Sequence, residues 1–241
     1  MKPLVIGHAC AAGEAPANTL AGVRACLDAE AAAIELDVQL SADGVPVLMH
    51  DETVDRTTNL SGPVRSLLLA QLRAADAGNG EPVPSLDDVF ALVGGRLSVL
   101  CELKTTDGAP AQDQQLVDAV LAVIAKHEAA GWSAIHSFQP EMVARARATE
   151  TRVSATIISP AVAGESLERL LAGVLTRNAQ AISVEHQCVD AQLVLRAKQR
   201  QLTVWTWTAD HPNDWERVTA AGVDGIITNV PHKLRDWLAA R

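Results

Sequence analysis

The sequence predicts one α/β domain, residues 1–241, built as a closed (β/α)₈ barrel (a TIM barrel). Its 241 residues come close to the roughly 250 that are typical of this architecture. Short β-branched runs alternate with alanine-rich stretches, which is the pattern of parallel strands joined by crossover helices. Counting the runs gives eight strands, at Leu4–Ile6, Ala33–Asp37, Leu97–Glu102, Ala134–Ser137, Ser154–Ile158, Ala181–Val184, Leu202–Trp207 and Gly225–Thr228.

The segments between these strands carry residues that begin and end helices. Asn18 is predicted to cap a helix over Thr19–Ala29, because a side-chain oxygen at that position can accept an unpaired backbone N–H. Prolines are favoured in the first turn of a helix, where no backbone N–H is needed, and glycines are favoured just after the last turn. On this basis helices begin near Pro140 and Pro212, and helices end at Gly131 and Gly222.

One connection is too long for a simple crossover. It joins the second and third strands and covers about sixty residues, 38–96, and connections of this length usually carry function or structure of their own. The sequence predicts a hairpin closed by Ser41–Gly44, followed by two short helices at Leu67–Ala75 and Ser85–Val93. The predicted fold is therefore a barrel with a hairpin-and-helices insertion after the second strand.

The turn also predicts a register for the hairpin. If Ser41–Gly44 forms the turn, Leu40 faces Val45. Counting back along both strands then places His50 beside Glu35, at the end of the second barrel strand.

Composition excludes several classes of function. With 20 basic and 29 acidic residues, the net charge of −9 argues against an extended surface for nucleic acid or anionic lipid. The apolar runs are too short to span a bilayer, and the first residues do not resemble a signal peptide. The four cysteines form no CxxC pair, so neither a disulfide framework nor a thiolate zinc site is indicated. We therefore expect a cytoplasmic protein that acts on a small molecule, without stable membrane association and with its oligomeric state open.

Charged residues stand where three predicted strands end, which is where such barrels place their catalytic groups. His8 follows the first strand, Glu35 and Asp37 end the second, and Glu102 and Lys104 end the third. Because strand side chains alternate, Glu35 and Asp37 point to the same face.

Three buried carboxylates at one barrel mouth are costly unless they are paired or bind a metal. A set of oxygen ligands without cysteine favours Mg²⁺ or Ca²⁺ over zinc. Histidine is the side chain that titrates near neutral pH, so His8 and His50 are candidates for an acid/base pair beside such an ion.

Several motifs, in order and spacing from residue 5 to 231, resemble those of the glycerophosphodiester phosphodiesterases. Each motif is weak alone, and together they are specific. They are Ile6-Gly7-His8, Pro16-Ala17-Asn18-Thr19-Leu20, Ile34-Glu35-Leu36-Asp37-Val38, Asp43-Gly44-Val45-Pro46-Val47, His50-Asp51, Asp55-Arg56-Thr57-Thr58, Cys101-Glu102-Leu103-Lys104, Ser137-Phe138, Trp207-Thr208 and 222–231 (GVDGIITNVP).

The resemblance implies a metal-dependent phosphoric diester hydrolase of lipid and glycerol metabolism, which cleaves glycerophosphodiesters to an alcohol and sn-glycerol 3-phosphate. It implies one divalent ion per chain, Mg²⁺ or Ca²⁺. Carried onto this sequence, it assigns the metal ligands to Glu35, Asp37 and Glu102 and catalysis to His8 and His50. It also implies that Lys104, Trp207 and Phe138 bind the substrate.

Two motifs depart from the family pattern. The pattern has an Arg that grips the phosphate directly after the first His, followed by Gly, where this chain has Ala9 and Cys10. It also has a Glu where this chain has Ala17. Losing a charged hydrogen bond costs about 1.5–3 kcal/mol. Two alternatives therefore stay open: a weakened or non-catalytic relative that binds phosphodiesters, and a phosphodiesterase with an altered substrate.

Overall fold

The computed structural model describes residues 2–105 and 110–241, and the strands among them confirm the predicted barrel. Within that part of the chain, all eight predicted barrel strands are present, and one further strand lies in the insertion. The strands are β1 (Leu4–Gly7), β2 (Ala33–Leu40), β3 (Pro46–Leu48), β4 (Ser98–Leu103), β5 (Ser133–Ser137), β6 (Ser154–Ser159), β7 (Ala181–Glu185), β8 (Thr203–Trp207) and β9 (Gly225–Thr228).

Helices occupy the connections between these strands. The described residues contain α1 (Leu20–Asp28), α2 (Leu69–Arg73), α3 (Leu86–Val93), α4 (Pro110–Lys126), α5 (Pro140–Thr149), α6 (Gly164–Thr176), α7 (Ala191–Lys198), α8 (Pro212–Ala221) and α9 (Pro231–Ala239). In this part of the chain, no helix combines the length and apolar character that crossing a membrane requires.

Pairing between the first and last strands closes the barrel. β1 bonds to β2 on one side and to β9 on the other, and every neighbouring pair in the ring is parallel. The main core lies between the outer strand faces and the helices, where residues such as Leu36, Val99 and Ile135 are fully buried. A smaller apolar cluster fills the inside of the barrel: Ile6, Ala33, Leu100, Ala134 and Ile227, with Trp205 and Trp207 packed against it.

The insertion begins with the predicted hairpin, but its register differs by one residue. β3 runs antiparallel to β2, with Leu40 opposite Pro46 and Val38 opposite Leu48. The expected pairing of Leu40 with Val45 is therefore wrong, and the backbone N–H of Met49 bonds to the carbonyl of Asp37. The cause is the turn, in which the N–H of Ser41 bonds to the carbonyl of Val45. Val45 therefore belongs to the loop, which is one residue longer than predicted.

Helix ends follow the predicted chemistry with two exceptions. The cap of α1 is Thr19, whose hydroxyl accepts the N–H of Gly22, and not Asn18. Gly131 ends no helix, because α4 already stops at Lys126. Gly222 does end α8, in the left-handed conformation (φ 92°) that glycine adopts without strain.

Candidate active site

The candidate site is a cavity of about 220 Å³ at the carboxyl-terminal end of the barrel. We call it the polar chamber, since carboxylate, lysine and imidazole groups from several strand ends face it. Its lining residues are His8, Glu35, Asp37, His50, Glu102, Lys104, His136, Phe138, Ile158, Trp207, Thr208 and Ile227. All eight residues that were predicted from the sequence as site residues therefore line one cavity.

Strand alternation explains how these polar groups meet. The inward-facing residues Ile6, Ala33, Leu100 and Ala134 form the apolar floor of the barrel. Two residues further along the same four strands, the same inward face carries polar side chains, because the strand period is two. These are His8 after β1, Glu35 in β2, Glu102 in β4 and His136 in β5.

Glu35 is held in place by the loop after β1. It is only 1% exposed, and its Oε2 accepts the backbone N–H of Ala9 at 2.9 Å. Burial, followed by repulsion from Asp37 and Glu102, raises the pKa of Glu35 well above its usual value. Its Oε1 is buried without a hydrogen-bond partner among the described residues. A cation beside this oxygen would stabilise the ionised form.

Lys104 bridges the other two carboxylates. Its Nζ lies 2.8 Å from Asp37 Oδ1 and also donates to Glu102 Oε1. Burial raises the pKa of Asp37, but Lys104, His50 and Asn18 outweigh this and bring it below its usual value. For Glu102 burial dominates, and its pKa is raised. Lys104 therefore offsets part, and not all, of the negative charge at the mouth.

Asn18 fixes the position of Asp37 from the opposite side. Its amide Nδ2 donates to Asp37 Oδ2 at 2.7 Å, and its Oδ1 accepts the backbone N–H of Asp37 at 3.1 Å. Asn18 has a left-handed backbone (φ 57°), which Asn tolerates better than most residues. Its sequence position before a helix suggested a cap, so this contact with the neighbouring strand β2 was missed.

His8 is oriented by a chain of polar side chains. The amide Nδ2 of Asn229 donates to Asp210 Oδ2 at 2.7 Å, so that its Oδ1 faces His8 Nδ1, also at 2.7 Å. An amide oxygen only accepts, so Nδ1 of His8 carries the hydrogen. The other ring nitrogen, Nε2, lies 4.0 Å from Glu35 and is the atom of a neutral ring that can take a proton.

His50 stands in a more open setting. Its side chain is 53% exposed, and its Nδ1 lies 2.7 Å from Asp51 Oδ1. Arg56 donates to both oxygens of Asp51. These bonds to Arg56 are the main reason why the pKa of Asp51 falls to about 2. The carboxylate therefore stays ionised, and it holds the His50 ring at Nδ1.

His136 is a site residue that the sequence analysis missed. It is 2% exposed, and neither ring nitrogen has a hydrogen-bond partner within the described residues. Burial lowers its pKa to about 3, so the ring is neutral. Ligand atoms of His136, Glu35 and Glu102 lie within 4.8 Å of one another, a grouping that can hold a metal ion. The sequence signal that could have identified His136 is the alternation of side chains in β5. His136 lies two residues after the inward-facing Ala134, just as Glu102 lies two residues after the inward-facing Leu100.

Two aromatic rings form a wall of the cavity. Phe138 and Trp207 meet edge to face, with centroids 5.7 Å apart and planes at 82°. Phe138 is 45% exposed, and the indole Nε1 of Trp207 has no partner among the described residues. The wall therefore offers an apolar surface with one hydrogen-bond donor.

Comparisons with known proteins identify the family of the chain. The model of the glycerophosphoryl diester phosphodiesterase family matches residues 8–233. A glycerophosphodiester phosphodiesterase of Caldanaerobacter subterraneus subsp. tengcongensis is 31% identical over an alignment of 244 positions, which covers 97% of each chain.

Solved structures share the fold over nearly the whole chain. A protein from Silicibacter pomeroyi DSS-3 is 28% identical, with a TM-score of 0.92 over 99% of this chain and 94% of that one. A phosphodiesterase from Oleispira antarctica, solved with its product sn-glycerol-3-phosphate, has a TM-score of 0.88 at 24% identity, over 99% of this chain and 97% of its own.

Proposed function

Because the chain belongs to the glycerophosphoryl diester phosphodiesterase family, we propose that it hydrolyses glycerophosphodiesters to an alcohol and sn-glycerol 3-phosphate. The observation that carries the proposal is the convergence of three carboxylates, Lys104 and two histidines on one cavity. The product in the Oleispira antarctica phosphodiesterase supports the glycerol phosphate half of the substrate. Ala9 and Ala17 leave this machinery in place, which favours an active enzyme over a non-catalytic relative.

The family depends on a divalent metal, and the residues present fit one. Glu35 Oε1 and both nitrogens of His136 are buried without partners, and the pKa values of Glu35 and Glu102 are raised, chiefly by burial. A bound cation would supply positive charge that offsets these carboxylates and the phosphate.

We assign the ligands to Glu35, Asp37 and Glu102, with His136 as a neutral nitrogen donor on the same cavity. Both oxygens of Asp37 are bonded, to Lys104 and Asn18, so Asp37 would hold an ion in place of its bond to Lys104. Carboxylates suit Mg²⁺ or Ca²⁺, and one imidazole also admits Mn²⁺.

The two histidines divide the proton transfers. His8 acts as the base, because its Nδ1 carries the hydrogen and its Nε2 faces the carboxylates. The nucleophile that it deprotonates is water, or it is the substrate's own glycerol hydroxyl, in which case a water then opens the cyclic phosphate to sn-glycerol 3-phosphate. His50 acts as the acid and protonates the departing alkoxide, since the ionised Asp51 at its Nδ1 can balance the charge of an imidazolium.

The remaining residues hold the substrate. Lys104 is 18% exposed and keeps its charge, because burial, which lowers its pKa, is outweighed by Asp37 and Glu102. With Asp37 engaged by a bound ion, the ammonium of Lys104 would be available to bind a phosphate oxygen. The edge-to-face pair of Phe138 and Trp207 packs against the carbons of the glycerol.

The test is release of glycerol phosphate from glycerophosphoethanolamine and glycerophosphocholine with Mg²⁺, Ca²⁺ or Mn²⁺. We expect turnover with at least one cation and none after chelation. A protein that binds the cation and releases no glycerol phosphate from any glycerophosphodiester would contradict the proposal and favour a binding role.

A further inference from the structure

A second cavity of about 220 Å³ opens on the other side of the two histidines. It shares His8, Asp37 and His50 with the polar chamber, so the two cavities meet at the proposed acid/base pair. Its remaining wall comes from the loops after β1 and from the insertion. We call it the apolar chamber, because most of that wall is aliphatic: Ala9, Ala12, Ala17, Leu48, Ala77 and Val83.

The polar side chains around the apolar chamber already have partners. Asp37 is bonded to Lys104 and Asn18. Arg56 reaches the rim, but its guanidinium is paired with Asp51 through two hydrogen bonds. Apart from the two histidines, a ligand in this chamber therefore meets mainly alkyl groups.

A strained turn forms part of the wall of the apolar chamber. Ala9, Cys10 and Ala11 have φ angles of 42°, 58° and 65°, a left-handed conformation that costs energy for residues other than glycine. Glu35 anchors this turn, since Ala9 N–H bonds to its side chain and Cys10 N–H to its carbonyl. The methyl group of Ala9 is thus fixed at the chamber wall.

We propose that the apolar chamber binds the alcohol arm of the substrate and selects a compact, uncharged, apolar alcohol. This inference rests on the proposed function, because a phosphodiester at His8 and His50 has one arm for each chamber. The volume lies below the roughly 300 Å³ of pockets for drug-sized ligands, so a few carbon atoms fill it. A cationic head group finds neither a Phe or Trp ring nor an unpaired carboxylate among the described lining residues.

The experiment compares esters of sn-glycerol 3-phosphate that differ only in the alcohol: methyl, n-propyl, n-butyl and ethanolamine. Each buried methylene is worth about 0.8 kcal/mol, or about 4-fold in kcat/KM. We expect kcat/KM to rise about 4-fold per methylene from methyl to n-butyl. The kcat/KM of the ethanolamine ester should fall below that of the n-propyl ester, which is similar in length. A flat series, or an ethanolamine ester preferred to n-butyl, would overturn the inference.

Variants test whether the preference for longer alkyl esters arises in the apolar chamber. Ala17→Leu and Ala12→Leu fill it from two half-buried positions, so the preference for n-butyl over methyl should fall below about 4-fold while the methyl ester is still cleaved. Ala163→Leu makes the same change at the exposed start of α6 and should keep the full preference. A preference retained in both chamber variants overturns the inference, whereas no turnover of any ester by the wild type overturns the proposed function itself.

Discussion

The polar and apolar chambers have the same volume and share three residues, yet they differ in the state of their polar atoms. In the polar chamber Glu35 Oε1, both nitrogens of His136 and the indole of Trp207 lack partners within the described chain. Around the apolar chamber Asp37, Asn18 and Arg56 are all paired within the protein. The comparison indicates that the first chamber is built for a charged ligand and the second for an uncharged one.

The difference follows from the elements that build each chamber. The polar chamber is formed by the ends of neighbouring parallel strands, whose period brings Glu35, Glu102 and His136 together. The apolar chamber is formed by a loop and the insertion, which has its own apolar cluster around Val47, Val54 and Leu72. Substitutions in the two chambers should therefore affect different steps.

The largest effect is expected from loss of the cation. Chelation should reduce turnover to the detection limit, because the buried carboxylates and the phosphate then repel one another. Glu35→Gln and Glu102→Gln keep the shape and lose the charge, and each should weaken cation affinity by about 100-fold or more. Full turnover in the presence of chelator would show that the polar chamber works without a metal.

The histidines at the junction come next. His8→Ala and His50→Ala should each lower turnover about 10²–10⁴-fold, the usual contribution of a positioned acid or base. A 4-nitrophenyl ester has a leaving group that needs no proton, so it should rescue His50→Ala and not His8→Ala. Rescue of His8→Ala alone would reverse the assignment of acid and base.

A smaller effect is expected for the residue that orients His8. Asn229→Ala removes the acceptor of the Nδ1 hydrogen, and misplacing a catalytic group can cost up to about 100-fold. We expect kcat to fall about 10- to 100-fold with KM nearly unchanged, because Asn229 lies outside both chambers as their linings are described. A rise in KM at constant kcat would make Asn229 a binding residue.

Ala9→Arg tests the apolar chamber with a charge. The new side chain occupies the space beside His8, so kcat/KM for the n-butyl ester should fall about 10-fold, as for a pocket that loses one to two methylenes of contact. The methyl ester should be affected less. Higher activity on every ester would instead indicate that the site lacks only a phosphate contact.

The smallest effect concerns the support of His50. Asp51→Asn should lower the free energy of unfolding by about 0.5–1 kcal/mol at pH 7, since the pair with Arg56 is largely exposed. The folded pKa of Asp51, about 2, lies below its unfolded value, so this contribution is present above about pH 4 and is lost as the pH falls towards 2. Denaturant unfolding of the wild type and Asp51→Asn measures the difference in their free energies of unfolding at pH 7 and at pH 2.5. An equal difference at the two pH values would contradict the assignment.

Sequence alone could predict the barrel and the acidic residues at its mouth, because periodicity and strand ends are local signals. Glu35 and Asp37 follow from one strand, and Glu102 from the next. Side-chain contacts between residues of different strands and loops could not be predicted from such local signals. Asn18 meets Asp37 once β1 pairs with β2, over a separation of 19 residues, and Asn229 meets His8 once β9 closes the barrel on β1, over 221 residues. The hairpin register was wrong because it depended on one hydrogen bond in the turn.

One measurement tests this division of roles most directly: calorimetric titration of Mn²⁺ into the wild type, Glu102→Gln and Ala17→Leu at the same pH. We predict one bound ion in the wild type, affinity about 100-fold weaker in Glu102→Gln and unchanged affinity in Ala17→Leu. Absence of binding to the wild type at millimolar Mn²⁺, Mg²⁺ and Ca²⁺, or equal loss in both variants, would contradict the account.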